Sequence, residues 1–316
     1  MLLLILGAIW GASYMLIKIG IRDFSPAMVA WLRVAFAALV LGGFAASRGA
    51  LTGFRGRWGT LALLGATQVA GPFVLIGAGE TEISSSLAGI LVTSAPIFTA
   101  LLAIWFDHEE RSRGARLVGI GLGVAGVAVL LGVDLGGSGD ELLGGLAVVL
   151  AGLGYAVGGM IAKHKLGDLA PIGVAASVLI ASTVLLAPAA AIGFPDAAPG
   201  VGPLAAVIGL GVVGTGIAFA IFYDLIATVG PARTFIVTYI APGFAVVYGA
   251  LLLDETITAA TIAGLVLILI GSYLAAEGWE RLARRRPGAV VGPAADERGG
   301  GVAIVPEVRA ERVEGR

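Results

Sequence analysis

Long apolar stretches fill most of the chain, and short segments rich in glycine, proline and charge separate them. A helix needs about 20 mostly apolar residues to cross the hydrocarbon core of a bilayer. The stretches that meet this criterion are 1–20, 26–46, 60–79, 84–106, 115–132, 141–162, 170–193, 203–223, 231–253 and 258–277. The pattern therefore predicts an all-α integral membrane protein with ten transmembrane helices.

Two of these stretches carry nearly the same text, TSAPIFTALLAIWFDHE at 93–109 and YIAPGFAVVYGALLLDE at 239–255. A step of 146 residues carries Ala95, Pro96, Phe98 and Glu109 onto Ala241, Pro242, Phe244 and Glu255. An internal repeat in a membrane chain is typical of secondary transporters, which bind their substrate between the repeats.

The ten predicted spans divide into five and five, so the second half enters the membrane from the opposite face. The two repeats are therefore predicted to be inverted, with a two-fold axis in the membrane plane. The predicted domains are a first repeat at 1–132, a second repeat at 141–277 and a charged, disordered cytoplasmic tail at 278–316. Glu109 and Glu255 are then expected on opposite faces.

Basic residues gather on one set of the predicted loops, and acidic residues dominate the other set. The basic set is Arg48, Arg55, Arg57, Arg111, Arg113, Arg116, Lys163, Lys165, Arg281, Arg284, Arg285 and Arg286. The acidic set is Glu80, Glu82, Asp134, Asp140, Glu141, Asp196, Asp254 and Glu255. Because cytoplasmic loops are enriched in lysine and arginine, the asymmetry predicts a multi-pass protein of the inner (plasma) membrane with both termini cytoplasmic.

Composition supports a membrane protein and removes several kinds of site. The chain is 58% hydrophobic and 13% charged, with a mean hydropathy of +0.98, whereas soluble domains are roughly 25% charged. Cysteine is absent, which excludes disulfides, iron–sulfur clusters and thiolate zinc sites. His108 and His164 lie in short polar loops and the net charge is −1, so we predict no metal, no cofactor and no nucleic-acid partner.

Residues Gly121–Gly126 match the pattern G-x-G-x-x-G of dinucleotide-binding proteins. That pattern requires a preceding strand, and here it lies within an apolar helix, where closely spaced glycines indicate close helix packing. No lysine follows glycines as a Walker A motif requires. We therefore predict no nucleotide binding and no ATP-driven transport.

Several short motifs resemble the drug/metabolite transporter superfamily, EamA-type. They are IWGASYMLIK at 9–18, FSPAMVAWLRVAFAAL at 24–39, the two AP-x-F…E blocks and the GPA of Gly230–Ala232, and the resemblance covers 1–277. This family consists of carriers with ten helices in an inverted repeat, and many members export small metabolites or toxic compounds. The resemblance implies the same fold and activity here.

Prolines and isolated polar side chains are the first candidates for site residues. Pro96 and Pro242 fall inside predicted helices, and Pro72 lies in the third; each bend is interpreted either as a gating hinge or as a static kink. Gln68 is the only side-chain amide of the chain and either binds substrate or bonds a neighbouring helix. Arg33 either holds a substrate carboxylate or phosphate, or forms a structural ion pair or carbonyl contact.

Aromatic and acidic side chains complete the candidates. The aromatic set is Trp10, Tyr14, Tyr155, Phe219, Tyr239 and Tyr248, interpreted as walls of a substrate cavity, with ordinary helix packing as the alternative. The acidic set is Glu80, Glu82 and Asp224, which either couple transport to protons or are solvated carboxylates at helix ends; the second interpretation is favoured. Lys18 is predicted to extend outward to the membrane surface.

The repeat and the resemblance together predict a secondary transporter, not an enzyme. It exports small metabolites or drug-like solutes by alternating access, with the two five-helix halves rocking about a central cavity. Its predicted partners are a small-molecule solute and the lipid bilayer; its glycine-rich surfaces allow an oligomer without requiring one. The alternatives are a membrane-embedded enzyme, which needs converging catalytic groups, and a non-transporting receptor or scaffold.

Overall fold

The computed structural model describes residues 1–106, 114–134 and 139–276. Ten helices cross the fold in these residues: α1 Leu2–Gly20, α2 Pro26–Ser47, α3 Trp58–Glu82, α4 Ser85–Val92 with Ala95–Phe106, α5 Ala115–Val129 with Leu130–Asp134, α6 Gly139–Leu166, α7 Pro171–Ile192, α8 Val201–Val229, α9 Pro231–Thr234 with Val237–Leu252, and α10 Ala259–Ala276. The predicted membrane fold is confirmed. Glu109 and the predicted tail lie outside the described residues.

Serine side chains cap the first turns of α2 and α4. The Ser25 hydroxyl accepts a hydrogen bond from the backbone N–H of Met28 at 3.2 Å, and Pro26 is the first residue of α2. Ser84 caps α4 in the same way, through the N–H of Leu87. Each cap satisfies a backbone donor that would otherwise lose its partner at the helix end.

The four most extensive helix interfaces all join one repeat to the other. They are α5 with α10, α2 with α7, α1 with α9, and α3 with α6. The two repeats are therefore interleaved, and neither forms a separate bundle. These contacts argue against the expectation that the two five-helix halves rock as rigid bodies, because such a motion would separate the four interfaces.

Both α3 and α8 widen into a π-helical turn near their middle. The turns span Gly65–Ala70 and Val212–Ile217, so the 146-residue step relates them to within one residue. A π turn breaks the regular ladder of backbone hydrogen bonds and is frequent at functional sites. The inverted repeat is thus visible in the local backbone as well as in the sequence.

The prolines occupy different structural positions from one another. Pro242 lies inside the regular helix Val237–Leu252, as predicted. Pro96 lies in the first turn of a helix and not in a helix interior as predicted, because α4 is interrupted at Thr93–Ser94 and Pro96 is the second residue of the following segment. Pro72 is buried at the start of the regular helix that follows the π turn of α3.

The interruption in α4 leaves the carbonyl oxygen of Thr93 outside the helical ladder. Ser272 of α10 donates its hydroxyl to that oxygen at 2.9 Å, in the buried interior. A freed carbonyl inside the membrane needs such a partner. The break in α4 is therefore stabilised by a specific hydrogen bond from another helix. The sequence predicted only a proline kink at this position.

The loops group on two faces of the helix bundle. We call the face with segments 48–57 and 167–170 the basic face, and the face with 21–25, 83–84, 193–200 and 253–258 the acidic face. On the basic face, Arg57 donates two hydrogen bonds to Asp168 at 2.6 and 2.8 Å, which joins the α2–α3 loop to the α6–α7 loop.

The ion pair of Arg57 and Asp168 carries a pH prediction. The hydrogen bond from Arg57 lowers the pKa of Asp168 below its usual value. A lowered folded-state pKa stabilises the fold above the unfolded pKa, and this stabilisation disappears as the pH falls through the folded pKa. Asp168→Asn should therefore lower the melting temperature slightly at neutral pH, and the difference from the wild type should vanish in strong acid. Melting curves of both proteins across the acidic range measure this; a constant difference would contradict it.

Candidate functional site

Arg33 lies at the junction of α2, α3 and α8, where it is only 8% exposed. Its Nε donates to the Oγ1 of Thr215 at 2.8 Å, and its guanidinium carbon lies 3.7 Å from the ring centroid of Phe73. Within the described residues this is its only hydrogen bond, so both terminal amino groups have no partner. The predicted ion pair or carbonyl contact is therefore replaced by a threonine hydroxyl and an aromatic face.

Two tyrosines predicted for the cavity lie beside this arginine. Tyr14 of α1 and Tyr155 of α6 both pack on the buried cluster that includes Val29, which lies one helical turn before Arg33 in α2. Tyr14 also borders α4, because a Cβ built on Gly89 would lie 3.1 Å from its ring. Side chains of five helices therefore converge around one fixed positive charge, which we call the Arg33 site: Arg33, Thr215, Phe73, Tyr14 and Tyr155.

Gln68 lies in the π turn of α3 and packs against Gly158 of α6. A Cβ built on Gly158 would lie 2.5 Å from the Cβ of Gln68, so only a glycine fits under this side chain. The amide is partly exposed and makes no hydrogen bond within the described part of the chain. The interhelical hydrogen bond considered from the sequence is therefore not formed here.

Trp10 and Phe219 belong to an aromatic cluster between the Arg33 site and the basic face. The cluster consists of Trp10, Phe219, Phe222, Tyr223 and Phe235, with ring centroids 5.3 to 6.3 Å apart and mostly edge-to-face. Sequence reasoning missed Phe222 and Phe235. The three- and four-residue spacing along α8 from Phe219 was the signal that could have found Phe222 and Tyr223 together.

The two remaining tyrosines lie elsewhere. Tyr239 of α9 packs edge-to-face against Tyr273 of α10 at 6.4 Å, and Tyr248 stacks on Phe244 of the same helix at 5.9 Å. Phe244 in turn packs against Gly11 of α1. These contacts place the two tyrosines in the α9 interfaces with α10 and α1, outside the Arg33 site.

The three predicted carboxylates differ sharply in their environment. Glu82 and Asp224 are exposed at helix ends, which agrees with a solvated carboxylate. Glu80 is fully buried, and neither of its carboxylate oxygens has a hydrogen-bond partner in the described structure. The favoured interpretation of a solvated group is therefore wrong for Glu80, because α1, α4 and α6 cover the end of α3.

Lys18 also departs from the prediction. Instead of extending outward, its ammonium donates to the backbone oxygens of Glu80 at 2.5 Å and Ile83 at 2.8 Å. It thereby caps the last turn of α3, where free carbonyls and the helix dipole favour a cation. The lysine joins α1 to α3 at the acidic face.

A carboxylate closes the acidic end of the bundle. Glu255, in the loop after α9, accepts hydrogen bonds from the N–H of Ser85 at 2.7 Å and from the N–H and hydroxyl of Ser86 at 3.0 and 2.5 Å. The negative charge lies at the N-terminus of the first α4 segment, which the helix dipole favours. We call Glu255, Ser85 and Ser86 the latch; it joins the second repeat to the first.

The helices α4 and α9 diverge from the latch towards the basic face. The segment Ser85–Val92 packs closely on Val237–Leu252 of α9. The following segment, Ala95–Phe106, packs on α6 and α10, and among the described residues it makes no extensive contact with α9. Among the described residues, α4 and α9 are thus in close contact towards the acidic face and separate towards the basic face.

The sequence profile of the EamA-like transporter family matches residues 1–132 and 142–276. The chain belongs to the EamA-like transporter family. The resemblance inferred from the motifs is confirmed, and the protein is a multi-pass membrane transporter.

Named relatives and a solved structure extend the comparison of this EamA-like transporter. An uncharacterised transporter of Archaeoglobus fulgidus is 26% identical over 84% of this chain and 94% of its own. A probable amino-acid metabolite efflux pump of Escherichia coli is 27% identical over 86% of this chain and 93% of its own. One crystal structure, 21% identical, superposes with a TM-score of 0.63 over 89% of this chain and 97% of that chain, which shows a shared fold.

The latch gives a prediction for this EamA-like transporter. Glu255→Gln keeps the size of the side chain but removes the charge and one acceptor, so closure of the acidic end should weaken by about 1–3 kcal/mol. Spin labels on single cysteines at Asp140 and Leu252 should show a larger fraction of long distances, and the chain has no native cysteine to interfere. Asp254→Asn, which changes an exposed neighbour, is the control; identical distance distributions for all three proteins would rule the latch out.

Proposed function

We propose that this EamA-like transporter is a secondary carrier that exports carboxylate-bearing metabolites of the amino-acid type. The observation that carries the proposal is the Arg33 site, where a buried guanidinium presents two amino groups without hydrogen-bond partners among the described residues. A guanidinium binds a carboxylate through two parallel hydrogen bonds, and this pairing is strong where water is scarce. The Escherichia coli relative named as an amino-acid metabolite efflux pump supports the same substrate class.

The surroundings of Arg33 suit the rest of such a substrate. Tyr14 and Tyr155 add two aromatic rings, each with a hydroxyl group, to the Arg33 site. The aromatic cluster offers apolar surface between this site and the basic face. A molecule with a carboxylate at one end and an apolar side chain at the other would fit this arrangement.

We propose that the basic face is cytoplasmic, in the inner membrane, with both termini on that side. The clustering of arginine and lysine on this face supports the orientation. The parted ends of α4 and α9 then face the cytoplasm, which is the conformation in which an exporter loads its substrate. Transport requires the latch to open while the basic end closes, and the moving units must combine helices from both repeats.

Counterflow in liposomes tests the proposal. Purified protein is reconstituted with a labelled panel of amino acids, their amides and unrelated cationic solutes, and uptake against an unlabelled internal pool is measured. Carboxylate-dependent exchange of chemically unchanged solute is the expected result. Exchange of the amides alone would reject the substrate class, turnover to a new compound would indicate an enzyme, and binding without exchange would indicate a receptor.

A further inference from the structure

Glu80 is a buried carboxyl group that the Arg33 site does not use. It lies two helical turns after Phe73 in α3, about 10 Å nearer the acidic face. Both carboxylate oxygens are sealed from solvent and unbonded in the described structure, and the same holds for the hydroxyl of Ser85. These are buried polar atoms without partners at the junction of α3 and α4, next to the latch.

Each charged neighbour of Glu80 makes its hydrogen bonds to groups other than the Glu80 carboxylate. Lys18 of α1 donates to two backbone carbonyls, Arg33 of α2 bonds Thr215, and Glu255 holds the start of α4. None of the cations forms a salt bridge with the Glu80 carboxylate within the described residues. Its charge is therefore left without a direct counter-ion.

Tyr14 and uncharged residues of α6 make up the rest of the described surroundings of Glu80. Tyr14 of α1 is a further titratable group near Glu80. On the α6 side, Gly79 packs against Gly144 and Val148, which carry no charge. The surroundings of the carboxyl group are thus apolar apart from groups that form no hydrogen bond with it in the described residues.

We propose that Glu80 is a proton-binding site, and that closing the acidic end takes up one proton. An unpaired carboxylate sealed in an apolar interior costs far more free energy than the neutral carboxyl group. The closed conformation therefore holds the protonated form, in which a proton from water has bonded to one carboxylate oxygen. Opening the acidic end gives water access to the group, and the proton returns to that water.

This inference rests on the proposed function, because it names the ion coupled to the carrier's conformational change. Because the closed form binds the proton, low pH favours closure. For one proton, the ratio of closed to open molecules changes by at most about tenfold per pH unit. The carrier would then return to its loading conformation by taking a proton from the acidic face.

The experiment measures the conformational equilibrium separately from transport. Spin labels at Asp140 and Leu252, both on the acidic face, report the open and closed populations in liposomes from about pH 5 to about pH 9. Closure of the wild type should increase as the pH falls. Glu80→Gln, which mimics the neutral form, should remain closed at every pH, and Glu80→Asp should restore the pH dependence.

Glu82→Gln is the matched control, because Glu82 is exposed two residues further along. It should leave the pH dependence of the wild type unchanged. A wild-type equilibrium that is independent of pH, or a Glu80→Gln variant with the wild-type dependence, would overturn the proposal. Failure of counterflow alone would reject the carrier function and leave the proton site standing, since the distance measurement needs no substrate.

Discussion

Arg33→Lys should lower the affinity for carboxylate substrates by about 30-fold or more, because truncating one side of a buried charge pair costs about 2 kcal/mol or more. Lysine keeps the positive charge but has a single ammonium, which cannot bind both carboxylate oxygens in one plane. It also loses the bond from Nε to Thr215 and the flat contact with Phe73. The charge would therefore remain while the geometry is lost.

Counterflow with an amino acid and with its amide separates this binding role from a structural one. The wild type should prefer the acid, and Arg33→Lys should lose this preference while it still exchanges the amide. Arg22→Lys, at an exposed arginine before α2, should behave as the wild type. Equal loss of acid and amide transport, together with a lower melting temperature, would instead assign Arg33 to the fold.

Gly119→Ala should destabilise the protein by about 1–3 kcal/mol through overpacking. A Cβ on Gly119 would lie 2.6 Å from the backbone N of Ala275 and 2.7 Å from the backbone O of Gly271. These are backbone atoms of α10, so the clash cannot be relieved by a change of side-chain rotamer. The most extensive interface of the protein would have to separate.

Gly121→Ala in the same helix is the matched control, since a Cβ there meets nothing within 4 Å. It should leave stability unchanged or raise it by up to about 1 kcal/mol, because alanine has the higher helix propensity. Unfolding in mixed micelles with increasing denaturing detergent measures both variants against the wild type. Coincident midpoints for the two variants would show that α5 and α10 are less closely packed than described.

The spans could be predicted from the sequence because the hydrocarbon thickness sets a simple length criterion. The inversion of the repeats could be predicted because each repeat has five spans, and an odd number makes the second repeat enter the membrane from the opposite face. Pro96 could not be placed, since proline marks a bend and does not tell a kink from a complete break. The break depends on Ser272, which is distant in sequence and donates its hydroxyl to the carbonyl oxygen of Thr93. The π turns had only one signal, the match of Gly65 to Gly211.

The environments of Glu80 and Lys18 were mistaken for a related reason. A position near the end of a hydrophobic stretch suggests contact with water, but burial depends on which helices cover that end. Here α4 and α6 cover the end of α3, and α1 brings Lys18 to its carbonyls. The sequence marked Arg33 as a candidate because a charge inside a predicted span is rare, but its partners Thr215 and Phe73 lie in other helices and could not be inferred from the sequence.

The interleaving of the repeats constrains how the protein is made. The ribosome delivers α1, α2, α3 and α5 to the membrane first, while their main partners, α9, α7, α6 and α10, are still to be synthesised. Their glycine-lined contact surfaces therefore face lipid until the partner helices have been inserted. Helix α10 completes the assembly when it packs on α5. A fragment that stops after the fifth helix should be inserted in the membrane yet remain unassembled, and supplying the second half as a separate polypeptide should rescue it.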